Sequence, residues 1–133
     1  MDLELVEIGN LPLYNEDLDE DPPVEWTEFR DKIAKADGLL LITPEYNRST
    51  SAVMKNAIDV GSRPYMKNVW SNKPAAVISL SPGAIGGFGA NHHLRQSLVC
   101  VNSLVMAQPE MYIGSAGDLF DENGKLTDKK MED

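Results

Sequence analysis

The chain has 133 residues, of which 42% are hydrophobic and 25% charged. That is one domain's worth of sequence with enough apolar content for a core, which excludes two full domains and argues against disorder throughout. Twelve Lys and Arg against twenty-one Asp and Glu leave a net charge of −9, a field that repels phosphate backbones and anionic headgroups and so argues against nucleic-acid and membrane partners.

Taken in chain order, the start Met1-Asp2-Leu3-Glu4 lacks the basic region of a signal peptide. Leu3, Leu5 and Ile8 alternate with Glu4 and Glu7, a period of two that predicts a half-buried or edge strand over residues 3–8. Gly9 to Pro23, with its prolines and the acidic run Asp17 to Asp21 broken only by Leu18, reads as a surface loop with a solvated acidic face. Trp26, Phe29, Ile33 and Ala36 recur at three- and four-residue steps and predict an amphipathic helix from Val24 to Ala36. Gly38 to Thr43, apolar at its centre and ended by Pro44, reads as a strand buried on both faces of a parallel sheet. After a polar turn from Pro44 to Thr50, Val53, Ala57 and Val60 mark a second helix, with Ser49, Thr50 or Ser51 as its N-cap and Gly61 as its stop.

Residues 62–73 read as a loop, Ala75 to Leu80 as another buried strand, and Ser81 to Gly89 as a glycine-rich turn. Leu94, Leu98 and Val101 predict a third helix. Cys100, between Val99 and Val101, is expected to be a small buried residue and not a nucleophile; as the single cysteine it fits a reducing compartment. A last strand is expected from Leu104 to Met106, or on to Ile113, before a polar, turn-rich tail from Gly114 to Asp133. No apolar run approaches the ~20 residues of a membrane helix, so the expectation is a soluble, cytoplasmic protein. About thirty residues between successive buried strands is the βαβ rhythm of a doubly wound parallel α/β sheet.

In such sheets ligands bind beyond the carboxyl ends of the strands, which directs attention to the segments after Thr43 and Leu80. The first is Pro44-Glu45-Tyr46-Asn47; taken alone it is more often an ordinary turn than a site. The second, Ser81-Pro82-Gly83-Ala84-Ile85-Gly86-Gly87-Phe88-Gly89, has more glycines than a turn needs and lets backbone amides approach a planar ring closely. His92 occupies the place of a third Rossmann glycine, and no Gly-Lys-Ser/Thr ends the run, so neither dinucleotide nor P-loop fingerprint is met. His92 and His93 diverge by about 100° on a helix and are expected to support a loop, not chelate one metal. Asp59 and Glu45 have no defined mutual geometry, and Arg63 and Arg95 are expected in ion pairs or subunit contacts. No serine elbow occurs.

Thr43-Pro44-Glu45-Tyr46-Asn47, Lys55-Asn56-Ala57-Ile58-Asp59, Ser81-Pro82-Gly83-Ala84-Ile85-Gly86-Gly87 and His93-Leu94-Arg95-Gln96 together resemble the NADPH-dependent FMN reductase family, and more narrowly its quinone and chromate reductase branch. The resemblance runs from about Asp2 to about Leu126. It implies a flavodoxin-like domain over 1–133, a homodimer or homotetramer, that uses FMN to pass electrons from NADPH or NADH to quinones, free flavin or metal oxyanions. It implies that Pro44, Glu45, Tyr46 and Asn47 contact the flavin ring and ribityl chain, largely through backbone groups, and that Ser81, Gly83 and Gly86 hold the other edge of the ring. No side chain is then required as acid, base or nucleophile, because the cofactor is the catalyst.

Family members also begin with another strand and a Gly-Ser-x-Arg-x-x-Ser loop that holds the FMN phosphate. Nothing before Leu3 corresponds to these, and the family's terminal helix has no counterpart. The resemblance therefore implies an N-terminally truncated domain, with residues 3–8 and 39–42 lacking their shared neighbour, that binds FMN poorly. Ser51-Ala52 replaces a common Pro-Gly pair at the second helix. The alternative function is a flavin-free interaction module, or an inactive fragment, that associates through Trp70, Tyr65 and Met66.

Overall fold

Two short apolar runs build the centre of the molecule, which the computed structural model describes over residues 2–127. Leu39–Pro44 (β1) and Pro74–Leu80 (β2) pair in parallel, from Leu39 opposite Ala75 to Pro44 opposite Leu80. On the other edge of β2 the partner strand is split. Leu104–Val105 (β3) pairs with Pro74 and Ala75, and Met111–Ile113 (β4) pairs with Ile78 to Leu80, both in parallel. The expected parallel α/β sheet is present, and its last strand comes in two short pieces.

Three helices cover one face. Val24–Lys35 (α1) follows a Pro-Pro pair and buries Trp26, Phe29, Arg30 and Ile33, with Lys32 and Lys35 in the last turn, where cations suit the helix dipole. Ala52–Gly61 (α2) is capped by Ser51, whose hydroxyl accepts from the Met54 amide at 3.4 Å. Phe88–Cys100 (α3) starts well before the apolar stripe that predicted it and buries Ala90, Asn91, Leu94 and Leu98. Their side chains form one core with Leu41, Ala75 and Val77 of the sheet. The outward face of β1 carries Leu40 and Ile42, 50% and 52% exposed.

Residues 3–8 form no strand. Leu3 and Leu5 are 77% and 93% exposed, and no described strand is bonded to the outer edge of β1. Alternating Leu and Glu supplies a strand-like pattern, but a strand also needs a backbone ladder to satisfy its amides. Cys100 is likewise exposed: it lies two residues beyond Leu98, about 200° around the helix from the buried stripe.

The acidic loop before α1 is anchored at its base. The Asn56 side chain accepts from the Tyr14 amide at 2.8 Å and donates to the carbonyls of Leu11 and Pro12 at 3.2 and 3.1 Å. The Trp26 indole also donates to Pro12 at 2.9 Å. Arg30 donates to the Val60 carbonyl at 2.9 Å and lies 5.5 Å over the Trp26 ring; burial pulls its pKa down while Asp19 opposes the shift.

Helix α2 stops at Gly61 as expected, with Ser62 as the C-cap. Residue 61 is glycine because the indole of buried Trp70 lies against it: a Cβ there would meet Trp70 Cε2 at 2.6 Å, while the same indole donates to the Ile58 carbonyl at 3.0 Å. Gly61→Ala is therefore expected to destabilise the protein by about 2 kcal/mol through overpacking, read as a lower urea midpoint with an unchanged slope.

Candidate functional site

The site-bearing segments leave adjacent strand tips, because Pro44 at the end of β1 lies directly opposite Leu80 at the end of β2. The first loop is a tight turn in which the Tyr46 and Ser49 backbones bond each other both ways at 3.0 Å. Asn47 and Arg48 close it at φ 50° and 66°, the left-handed region that side chains enter at a cost of about 1–2 kcal/mol. Beneath it Thr43 is fully buried. Its hydroxyl bonds the Pro44 carbonyl and the Thr50 hydroxyl, each at 2.9 Å, and accepts from the Ser51 amide at 3.3 Å. Tyr46, on top, is exposed.

The second loop is held from below in the same way. Buried Ser79 donates to the Gly86 carbonyl at 2.8 Å, and the Ser81 hydroxyl accepts from the Gly83 amide at 3.1 Å. Gly86 takes φ 60°, and a Cβ there would meet the Tyr112 carbonyl carbon at 2.6 Å. A Cβ at Gly83, by contrast, would meet only the Ser81 hydroxyl, at 3.5 Å, so this loop offers open backbone at its tip.

A third loop, not foreseen from the sequence, braces the second. The amides of Ser115 and Ala116 donate to the carbonyls of Gly83 and Ser81 at 3.2 and 3.1 Å. Its signal was Gly114-Ser115 directly after the apolar triplet Met111-Tyr112-Ile113. Asn91 was missed too: fully buried, it donates to Ser79 Oγ and to the Met111 carbonyl, both at 3.3 Å, while its Oδ1 accepts from Arg95 Nε at 2.7 Å. A lone amide in register with Leu94 and Leu98 was the visible sign.

Every candidate residue thus lies at the carboxyl end of the sheet. Pro44, Glu45, Tyr46 and Asn47 occupy the first loop; Ser81, Gly83 and Gly86 occupy the second. Glu45 points sideways and accepts from the Ala90 amide of α3 at 3.1 Å. His93 bonds Ser49 of the first loop at 3.0 Å, and His92 bonds the Tyr112 hydroxyl at 3.1 Å, so each histidine ties α3 to a neighbouring segment. Burial first, then Glu110, raises the Tyr112 pKa above its ordinary value. Arg95 also donates to the Met106 carbonyl at 2.7 Å, so its partners are an amide oxygen and a carbonyl, not a carboxylate. Arg63 lies 5.8 Å over the Tyr14 ring. A groove of about 650 Å³ runs from the first loop between α2 and α3, lined by Tyr46, Asn47, Lys55, His93 and Gln96. Among the described residues no cluster of His, Cys, Asp and Glu could hold a metal ion.

This arrangement defines a parallel α/β protein whose candidate site lies at the carboxyl ends of its strands and offers backbone amides and one exposed aromatic side chain. Residues 1–118 match the NADPH-dependent FMN reductase family, and the chain belongs to that family. It is 60% identical over 128 residues to a quinone reductase of Pseudomonas putida, covering 96% of this chain and 69% of the relative. It is 47% identical over 133 residues to an NAD(P)H-dependent FMN reductase of Pseudomonas aeruginosa, covering 98% and 70%. The solved structure of FerB, an NAD(P)H:(acceptor) oxidoreductase flavoenzyme from Paracoccus denitrificans, superposes with a TM-score of 0.87 at 44% identity, covering 97% of this chain and 71% of that one.

The residues present fit the ring end of FMN. The open backbone at Gly83 and the exposed Tyr46 stand on neighbouring strand tips with no Cβ crowding the glycine. The phosphate end is assigned to neither helix start near the site, because α2 is capped by Ser51 and the first turn of α3 already receives the Glu45 carboxylate.

Asn91→Ala leaves Arg95, the Ser79 hydroxyl and the Met111 carbonyl without their partner. It is expected to cost about 2–3 kcal/mol by loss of buried hydrogen bonds, measured by thermal unfolding, with the larger loss of protection in amide exchange falling on β4 and the second loop.

Proposed function

We propose that this chain is an FMN-dependent oxidoreductase that passes electrons from NADPH or NADH to a quinone. The observation that carries the reading is the pairing of two backbone-rich loops at adjacent strand tips in a chain of this family. The relatives named as quinone and FMN reductases support the choice of donor and acceptor. Pro44, Glu45, Tyr46 and Asn47 would border one side of the ring, and Ser81, Gly83 and Gly86 the other. Bound FMN would supply the redox chemistry, a hydride from NADPH or NADH being the source of the two electrons and one of the two protons that turn a quinone into its hydroquinone. The protein's part would be to hold the ring at these loops and to position it for donor and acceptor.

The assembly is proposed to be a homodimer or homotetramer in the cytoplasm. Exposed Tyr46 at the groove supports a subunit contact there, and sedimentation equilibrium is the test. Among the described residues no helix is long and apolar enough to cross a membrane. The interaction-module alternative loses one of its three residues, since Trp70 is 2% exposed and belongs to the core; Tyr65 and Met66 remain exposed.

Purified chain supplied with FMN is expected to be yellow, to bleach with NADPH under anaerobic conditions, and to recover its colour on addition of 1,4-benzoquinone. A chain that takes up no flavin overturns the proposal. Free FMN and chromate in place of benzoquinone test the other acceptors. With both nearby helix starts already capped and a net charge of −9, fluorescence titration of this chain is expected to give FMN and riboflavin affinities within about tenfold of each other.

A further inference from the structure

Resting on that flavin reading, we infer that the Glu45 side chain is a positioning group: its carboxylate caps α3 from the neighbouring loop, and this cap sets the spacing of the two loops that border the ring. Helix α3 has no cap of its own. Its N-cap is Gly87 at φ 76°, with no side-chain acceptor for the first-turn amides, which leaves the partial positive charge of the helix start unanswered locally. Glu45 answers it from outside, with Oε2 3.1 Å from the Ala90 amide. Ala90 is the third helical residue, the position at which a capping oxygen ordinarily accepts.

The carboxylate is committed to this contact. The Glu45 side chain is 10% exposed, and its other partner, Arg48 Nη1, is 3.5 Å away on a side chain that is 75% exposed, a pair that contributes little in water. Space is reserved for the carboxylate: a Cβ at Gly89 would lie 3.0 Å from Glu45 Oε2 and 2.8 Å from the Arg48 carbonyl. The glycine in the first turn of α3 therefore serves the approach of the other loop.

The cap acts on a turn that needs holding. Asn47 and Arg48 both lie in the left-handed region, and such backbone persists only where its surroundings over-determine it. The residues on either side of Tyr46–Arg48 are both tied to α3, Glu45 through Ala90 and Ser49 through His93 at 3.0 Å. The Glu45 peptide borders the ring, whereas its side chain holds Tyr46 in place relative to the glycine loop.

The test compares Glu45→Ala, Glu45→Gln and Gly89→Ala with the unsubstituted chain. Hydrogen exchange at Ala90 reads the cap without flavin: Glu45→Ala and Gly89→Ala are expected to speed it at least about fivefold, and Glu45→Gln, whose amide oxygen still accepts, to stay within about twofold. Titration with FMN and with riboflavin reads the spacing: the first two variants are expected to bind both flavins about fivefold more weakly, with rescue by Glu45→Gln. Unchanged Ala90 exchange in Glu45→Ala overturns the cap. Faster exchange with unchanged flavin affinity overturns the positioning role and leaves a merely structural one. Absence of flavin binding by the unsubstituted chain overturns the functional reading itself, and the exchange measurement still decides the cap. Should Glu45→Ala fail to fold, Gly89→Ala decides in its place.

Discussion

The site depends on the register between two strands. Because β1 and β2 run parallel with Pro44 opposite Leu80, the two following loops emerge from strand tips about 4.8 Å apart, and no further folding event is needed to bring them side by side. A slip of one residue would turn Thr43 or Ser79 outward, depending on which strand moved. These two fully buried hydroxyls hold Pro44 of the first loop and Gly86 of the second, so the same register that makes the core also fixes the backbone of both loops.

Above that register the polar groups are few and each does more than one thing. Asn91 joins α3 to both β2 and β4, and Ser79 takes one bond from it while giving another to Gly86. Glu45 and His93 join the opposite side of α3 to the first loop. The helix is thus a strut between the loops: one side carries the glycine segment, the other carries the strained turn. The side chains that organise the two loops bond the protein's own backbone and one another, in keeping with chemistry carried by a cofactor and a protein that supplies position.

Much of the scaffold was legible in the sequence. The apolar runs at 39–43 and 75–80 and the stripe of Trp26, Phe29 and Ile33 admit one reading each, and the two loops after them follow from topology. The strand expected at 3–8 was illegible because alternation reports a possible face, not the partner a strand requires. The start of α3 was hidden because Gly89, Ala90 and Asn91 look like the end of a glycine turn until their buried contacts are known. Gly61 carried a stop signal at the right place for a different reason, the approach of Trp70. Whole motifs gave away the family, whereas the long-range contacts of Glu45 and Asn91, each reaching another element, left only a local trace.

The two walls of the site differ in one respect that pattern alone conceals. The glycine segment hangs on Ser79 and Asn91, both fully buried, whereas the tyrosine-bearing turn hangs on Glu45 and His93, whose contacts lie nearer the surface. Water can therefore compete for the supports of one jaw and is excluded from those of the other.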